Sequence, residues 1–170
     1  MRRWLPLMLA LSCVALTGCK EKTELRALCA APKVGEASFE TPAIAAGAER
    51  LKRAEESEEL AVDLGKRRDA AQQKRDSMDA DLKKQRAEAE AMSLDDKDAR
   101  RKAILEVTAL EMEAQKITEE LSRYHRDVER NQETARGHRN AARAALAPLL
   151  QSHGLIGACP VLDGPKAAKP

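Results

Sequence analysis

The chain has 170 residues, with 30 Lys plus Arg against 28 Asp plus Glu and three histidines. Charged residues make up 34% and aromatics only 2%, a composition that excludes a thick aromatic core and suits long helices with a narrow seam. The signs are interspersed and nearly balanced, so there is no electrostatic footprint for nucleic acid.

Arg2 and Arg3 precede an apolar stretch, Leu5 to Leu16, interrupted only by Pro6 and Ser12. Small residues then lead into a cysteine. This is the layout of a secretory signal with a small-residue cleavage site, and it is too short to span a bilayer. The closing tetrapeptide Leu16-Thr17-Gly18-Cys19 resembles the lipobox of bacterial lipoproteins. That resemblance implies removal of residues 1–18, a diacylglyceryl group on the Cys19 sulfur and an acyl group on the new amino terminus. It also favours an outer-membrane anchor facing the periplasm, because Lys20 stands where an inner-membrane lipoprotein often has aspartate. Two alternatives stay open: an ordinary signal-peptidase cut that leaves Cys19 as a thiol, and an uncleaved anchor. Several acyl chains hold a protein on a membrane, whereas one binds reversibly at about 0.8 kcal/mol per buried methylene.

Loss of Arg2 and Arg3 with the signal lowers the basic residues from 30 to 28, equal to the acids. Trp4 and Cys13 go as well. Besides Cys19, the remaining cysteines are Cys29 and Cys159, the number needed for one bridge in an oxidising compartment. Free thiols or intermolecular bridges are the alternatives.

Residues 19–42 carry Pro32, Gly35, Ser38 and Pro42 with no sustained apolar period. They are expected to form a lipidated N-terminus and tether, with at most a short turn around Leu25 to Cys29. Thr41-Pro42 then supplies an N-cap followed by proline at the first helical position. The first long helix is expected over 43–92, about 75 Å at 1.5 Å per residue. Gly47 and Gly65 weaken it, while Glu49/Arg53 and Asp63/Arg67 have the favourable i,i+4 order. Its stripe is small and polar: Ala54, Ser57, Ala61, Leu64, Arg68, Ala71, Arg75, Met78, Leu82, Gln85, Ala89 and Met92.

Residues 93–96 interrupt the pattern and are expected to turn, with Ser93 capping the next helix and Asp96 in the place of a capping-box acid. The second helix is expected over 97–152, with Pro148 near Ala147 and then His153-Gly154 as stop signals. Ala103, Val107, Leu110, Ala114, Ile117, Leu121, Tyr124 and Val128 recur at spacings of four and three. The pattern continues through Asn131, Ala135, His138, Ala142, Ala145 and Leu149. A heptad seam of this length predicts a coiled coil. Residues 153–170 read as a tail.

Cys29 and Cys159 each lie 65 residues from Leu94. Folding back at 93–96 returns the two cysteines to one level. It also sets Met78 near Leu110, Ala71 near Ile117, Leu64 near Tyr124 and Leu60 near Val128. The expected fold is therefore all-α, a long antiparallel two-helix coiled-coil hairpin with extended termini. The competing architecture is one helix of about 100 residues, joined by a stutter and paired with a second copy.

No catalytic constellation emerges: His125, His138 and His153 form no HExxH pair, and there is no CxxC, Walker loop or GxSxG elbow. His138 and Asn131 fall on the seam, where polar residues fix register. Neither a metal nor another cofactor is implied. The expectation is a non-enzymatic, membrane-anchored periplasmic lipoprotein acting as a structural spacer or adaptor. Its membrane contact is through lipid on Cys19. Its protein partner in the envelope, or a second copy, is expected at the turn, through Leu94, Asp95, Lys97 and Arg100. The alternatives are a holdase-type chaperone gripping clients along the helices, and an accessory subunit of a secretion, efflux or conjugation machine. The zero net charge of the mature chain speaks against the chaperone, since such arms are basic.

Overall fold

The computed structural model describes residues 5–31, 33–34, 38–93 and 96–164, and its regular elements are all helical. They are α1 (Leu5–Ala30), α2 (Pro42–Ala91), α3 (Lys97–Ser152) and a 3₁₀ turn (Pro160–Leu162). None of the described helices is long and apolar enough to cross a membrane. The described residues form two compact units. One runs up to Glu58 and resumes at Gln132; the other is Glu59–Asn131.

The second unit contains the middles of α2 and α3 packed on each other. Met78 and Leu82 of α2 are buried with Ala114 and Ile117 of α3, and Ala71, Val107, Leu110 and Leu121 pack around them. All of these are seam residues, so the heptad spacing selected the face that meets the neighbouring helix. Cross-helix ion pairs flank the seam: Lys74 Nζ lies 2.9 Å from Glu113, and Arg86 Nε donates to Glu111 at 3.1 Å. The i,i+4 pairs Arg53–Glu49 and Arg67–Asp63 form at 3.1 and 2.9 Å on exposed faces. Leu60 departs from expectation. It is 48% exposed, while its neighbour Ala61 is buried. The reflection about Leu94 was one residue out of phase there, and one residue turns a helical side chain by about 100°.

The first unit holds the larger core, and α1 builds part of it. Leu25 and Leu28 are fully buried against Ile44, Ala48 and Leu51 of α2 and Ala142, Leu146 and Leu150 of α3. Val34, Cys29, Cys159 and Leu162 complete the cluster. This corrects the expected tether: residues 19–30 are helical and packed, not extended. Helical stability in proteins comes mostly from tertiary packing, and the burial of Leu25 and Leu28 stabilises this end of α1.

Capping also differs from expectation. Asp96, not Ser93, caps α3: its carboxylate accepts the Ala99 N–H at 3.1 Å, and its carbonyl accepts the Arg100 N–H. Pro148 does not stop α3, which continues to Ser152. The stop is a Schellman motif on Gly154, whose φ is +66°. The Leu155 N–H bonds the Leu150 carbonyl at 2.8 Å and the Gly154 N–H bonds that of Gln151 at 3.2 Å. Leu155 then packs on the same core as Leu150.

Gly47 has a packing reason. A Cβ placed there would sit 2.7–2.8 Å from Leu146 Cγ, Cδ1 and Cδ2, and Leu146 is fully buried. Gly65 on the same helix meets nothing within 4 Å. Gly47→Ala is therefore expected to lower stability by about 1–3 kcal/mol through overpacking. Gly65→Ala should raise it by about 0.5–1 kcal/mol through helix propensity. Circular-dichroism melts of the two variants will separate the effects by sign.

Candidate functional site

The residues singled out in the sequence fall in three places. Cys19 is exposed and unbonded within α1, and its carbonyl accepts the Thr23 hydroxyl at 2.9 Å. The helical turn after Cys19 is tied to the rest of its unit. Lys20 pairs with Glu40, which holds the ammonium above its ordinary pKa. Glu21 lies 3.4 Å from His153 Nε2, and Glu24 accepts the N–H groups of Glu40 at 3.3 Å and Thr41 at 3.0 Å.

Glu24 is a residue that sequence reasoning missed. Its carboxylate comes from α1 yet receives the N–H of Thr41, immediately before the first residue of α2, where the helix dipole also favours a negative charge. The backbone N–H of Thr41 is the main cause holding its pKa below the usual 4.5, with the Thr41 side chain, the Glu40 N–H and Lys20 acting in the same direction. No local pattern announces such a cap, because the acid precedes the helix by 18 residues and belongs to another helix.

At the other end of α1, Cys29 and Cys159 form a disulfide with a Cα–Cα distance of 4.4 Å, across 130 residues of sequence. Beside it Arg139 is only 8% exposed. Its Nε and Nη2 donate to Glu58 at 2.8 and 2.7 Å, a bidentate arrangement, and Nη1 donates to the Val161 carbonyl. Arg143 adds a bond to the Leu162 carbonyl at 3.1 Å. The segment 159–164 is thus held by two arginines of α3 as well as by the disulfide, so this part of the expected tail is ordered structure. A signal was present here. Arg139, Ala142, Leu146 and Leu150 make a second stripe, spaced three and four, beside the seam residues His138, Ala142, Ala145 and Leu149. Two adjacent stripes mean two neighbours, and α1 with the 3₁₀ turn is the second one.

Of the expected partner-contact residues, Lys97 is exposed on the first turn of α3 and Arg100 is half-buried there. Leu94 and Asp95 lie outside the described residues. The structure adds a feature on the same helix: Ile104, Leu105 and Met112 are exposed at 51%, 62% and 57%. They stand away from the seam residues Ala103, Val107, Leu110 and Ala114. Glu111 and Glu113 of this stretch engage α2 through Arg86 and Lys74.

A shallow groove of about 500 Å³ lies in the second unit, lined by Arg75, Asp79, Leu82, Arg86, Glu111 and Thr118 among others. Arg75 pairs with Asp79 and donates to the Thr118 hydroxyl at 3.0 Å, and Arg86 pairs with Glu111. Arg75 and Asp79, and Arg86 and Glu111, therefore engage one another. Among the described residues no group of His, Cys, Asp and Glu has the arrangement to hold a metal ion. No family model, curated protein or solved structure matches the chain.

Two outcomes are expected from this end of the molecule. On non-reducing gels the protein should migrate as a monomer, faster than its reduced form, and Cys159→Ser should abolish the difference. In the chain-entropy account, a bridge over so long a loop stabilises by on the order of 4–5 kcal/mol. The second concerns pH. Because the Glu24 pKa is lowered in the fold, its contribution is present above the ordinary value of 4.5 and is lost as pH falls through the folded value. Glu24→Gln should therefore lower the melting temperature at neutral pH and shrink the loss on acidification, both measured by thermal melts across that range.

Proposed function

We propose that this chain is a lipid-anchored, non-enzymatic protein of the bacterial cell envelope that works as a structural spacer or adaptor. The observation that carries the proposal is Leu16-Thr17-Gly18-Cys19 at the end of a short apolar segment behind Arg2 and Arg3. Two features support it. Cys19 is exposed and unbonded, as an acylated residue must be. Cys29 and Cys159 are bridged, which fits an oxidising compartment such as the periplasm. Lys20 after the cysteine favours the outer membrane on the lipoprotein resemblance.

In this reading α2 and α3 form an antiparallel coiled coil. Support comes from the burial of the heptad positions, and in the first unit from Ile44, Ala48 and Leu51 sharing a core with Ala142, Leu146 and Leu150. The partner, an envelope protein, engages the start of α3. The contact expected at Lys97 and Arg100 is extended along that helix to Ile104, Leu105 and Met112, which present exposed apolar surface.

The test has two readouts. Labelled palmitate should enter the wild type and not Cys19→Ser; equal labelling of both would end the lipoprotein reading. Leu105→Ser with Met112→Ser should leave the melt within about 0.5 kcal/mol of wild type, as surface substitutions do. The same pair should remove in-cell crosslinks formed by a photoreactive residue placed at Thr108, whereas retention of every crosslink would refute the adaptor contact. A client-holding chaperone would instead lose suppression of aggregation when the seam is broken by Ile117→Asp.

A further inference from the structure

We infer that the outer face of α1 lies along the lipid bilayer, so that the first unit is seated on the membrane surface instead of hanging from it on a spacer. The inference rests on lipid attachment at Cys19, as proposed above. Three of the residues immediately after that cysteine are engaged by groups outside α1. Lys20, Glu21 and Glu24 are held by Glu40, by His153 and by the N–H groups of Glu40 and Thr41, and Leu25 and Leu28 are fully buried. From Cys19 to Leu25 is six residues of helix, about 9 Å at 1.5 Å per residue. A flexible tether places its cargo at a distance that grows with linker length. Here there is no such length, and the acyl chains start within about two helical turns of the core.

The orientation comes from helical geometry. Cys19, Thr23, Arg26, Ala27 and Ala30 are all exposed, and their spacing of four, three, one and three puts them on one face of α1. Leu25 and Leu28 point to the other side and are fully buried, and Cys29 is buried at the border between the two faces. The two acids of this segment, Glu21 and Glu24, point to protein partners, so the Cys19 face carries no carboxylate; Arg26 lies on it and the half-buried Lys22 flanks it. Its remaining side chains are short. Such a face meets a phospholipid surface without desolvating an acid, and Arg26 is placed to contact headgroup phosphates while its stem stays on the apolar side. Helices that lie in the interface bury their inner face about 5–10 Å into the headgroup and acyl boundary.

The experiment uses the full chain, processed in a lipoprotein-maturing bacterium and purified with its lipid. The sole tryptophan, Trp4, precedes Cys19, so the mature chain carries none and Ala27→Trp creates a single reporter on an exposed position. In vesicles of phosphatidylethanolamine and phosphatidylglycerol, its emission should shift to the blue and should be quenched by lipids brominated on the acyl chains. A short Gly-Ser segment inserted between Cys19 and Lys20 should abolish the quenching while palmitate labelling persists. Arg26→Glu should reduce it in the anionic vesicles. An Ala27→Trp protein that incorporates palmitate yet shows unshifted, unquenched emission would overturn the seating and leave the lipoprotein reading standing. Absence of palmitate from the wild type would remove both.

Discussion

The first unit depends on a third helix closing a core that α2 and α3 do not close alone. In this unit Ala48, Ala54, Ala135 and Ala142 are among the buried positions of α2 and α3, beside Ile44, Leu51, Leu146 and Leu150. Alanine lets helices approach closely but removes little apolar surface from water. Leu25 and Leu28 of α1 supply that surface, and the close approach at Gly47 lets Leu146 fill the space between the elements. The Cys29–Cys159 bridge then joins the C-terminal end of α1 to the residue that leads into the 3₁₀ turn. Because the cross-link spans most of the chain, it acts mainly by restricting the unfolded ensemble.

Polar groups finish what apolar packing begins. Arg139 is nearly buried and would be costly as an isolated charge, but its donors reach both oxygens of Glu58 and the Val161 carbonyl. Glu24 performs the complementary task at the start of α2, where backbone donors lack intrahelical partners. In each case a charged side chain satisfies backbone groups of a segment distant in sequence. Such bonds select one docking geometry from the many that an alanine-rich interface tolerates. The exposed ion pairs along α2, by contrast, are screened and each contributes a few tenths of a kcal/mol.

These features bear on the proposed function through its proposed anchor. A lipoprotein whose acylated cysteine begins a flexible linker reports little about how its body faces the membrane. Here the cysteine stands on a helix that shares the hydrophobic core, so in the proposed lipoprotein the orientation of the anchor and that of the first unit would be coupled. The proposed seating of that unit and the proposed partner contact on α3 draw on different surfaces, which makes them separable by mutation. The engagement of Glu111 and Glu113 with α2 leaves Ile104, Leu105 and Met112 as the apolar part of that second surface.

Periodicity and symmetry carried much of the structure in the sequence itself. The recurrence from Ala103 to Leu149 determined which face of α3 is buried, because a heptad pattern leaves a helix one apolar side to hide. The equal distances of Cys29 and Cys159 from Leu94 pointed to their pairing, since equal helical rise on both sides of a turn returns residues to one level. The composition, nearly without aromatics, limited the chain to thin helical packing. What the sequence reading misjudged was residues 19–42, which it expected to be a tether. Their Pro, Gly and Ser content describes local backbone preference, and Leu25, Leu28 and Cys29 are too few to show a period. Only the tertiary structure supplied the pocket between α2 and α3 that makes residues 19–30 a packed helix. It also decided the partners of Glu24 and Arg139, because a charge finds such partners across 16 to 81 residues, a separation on which local patterning carries no information.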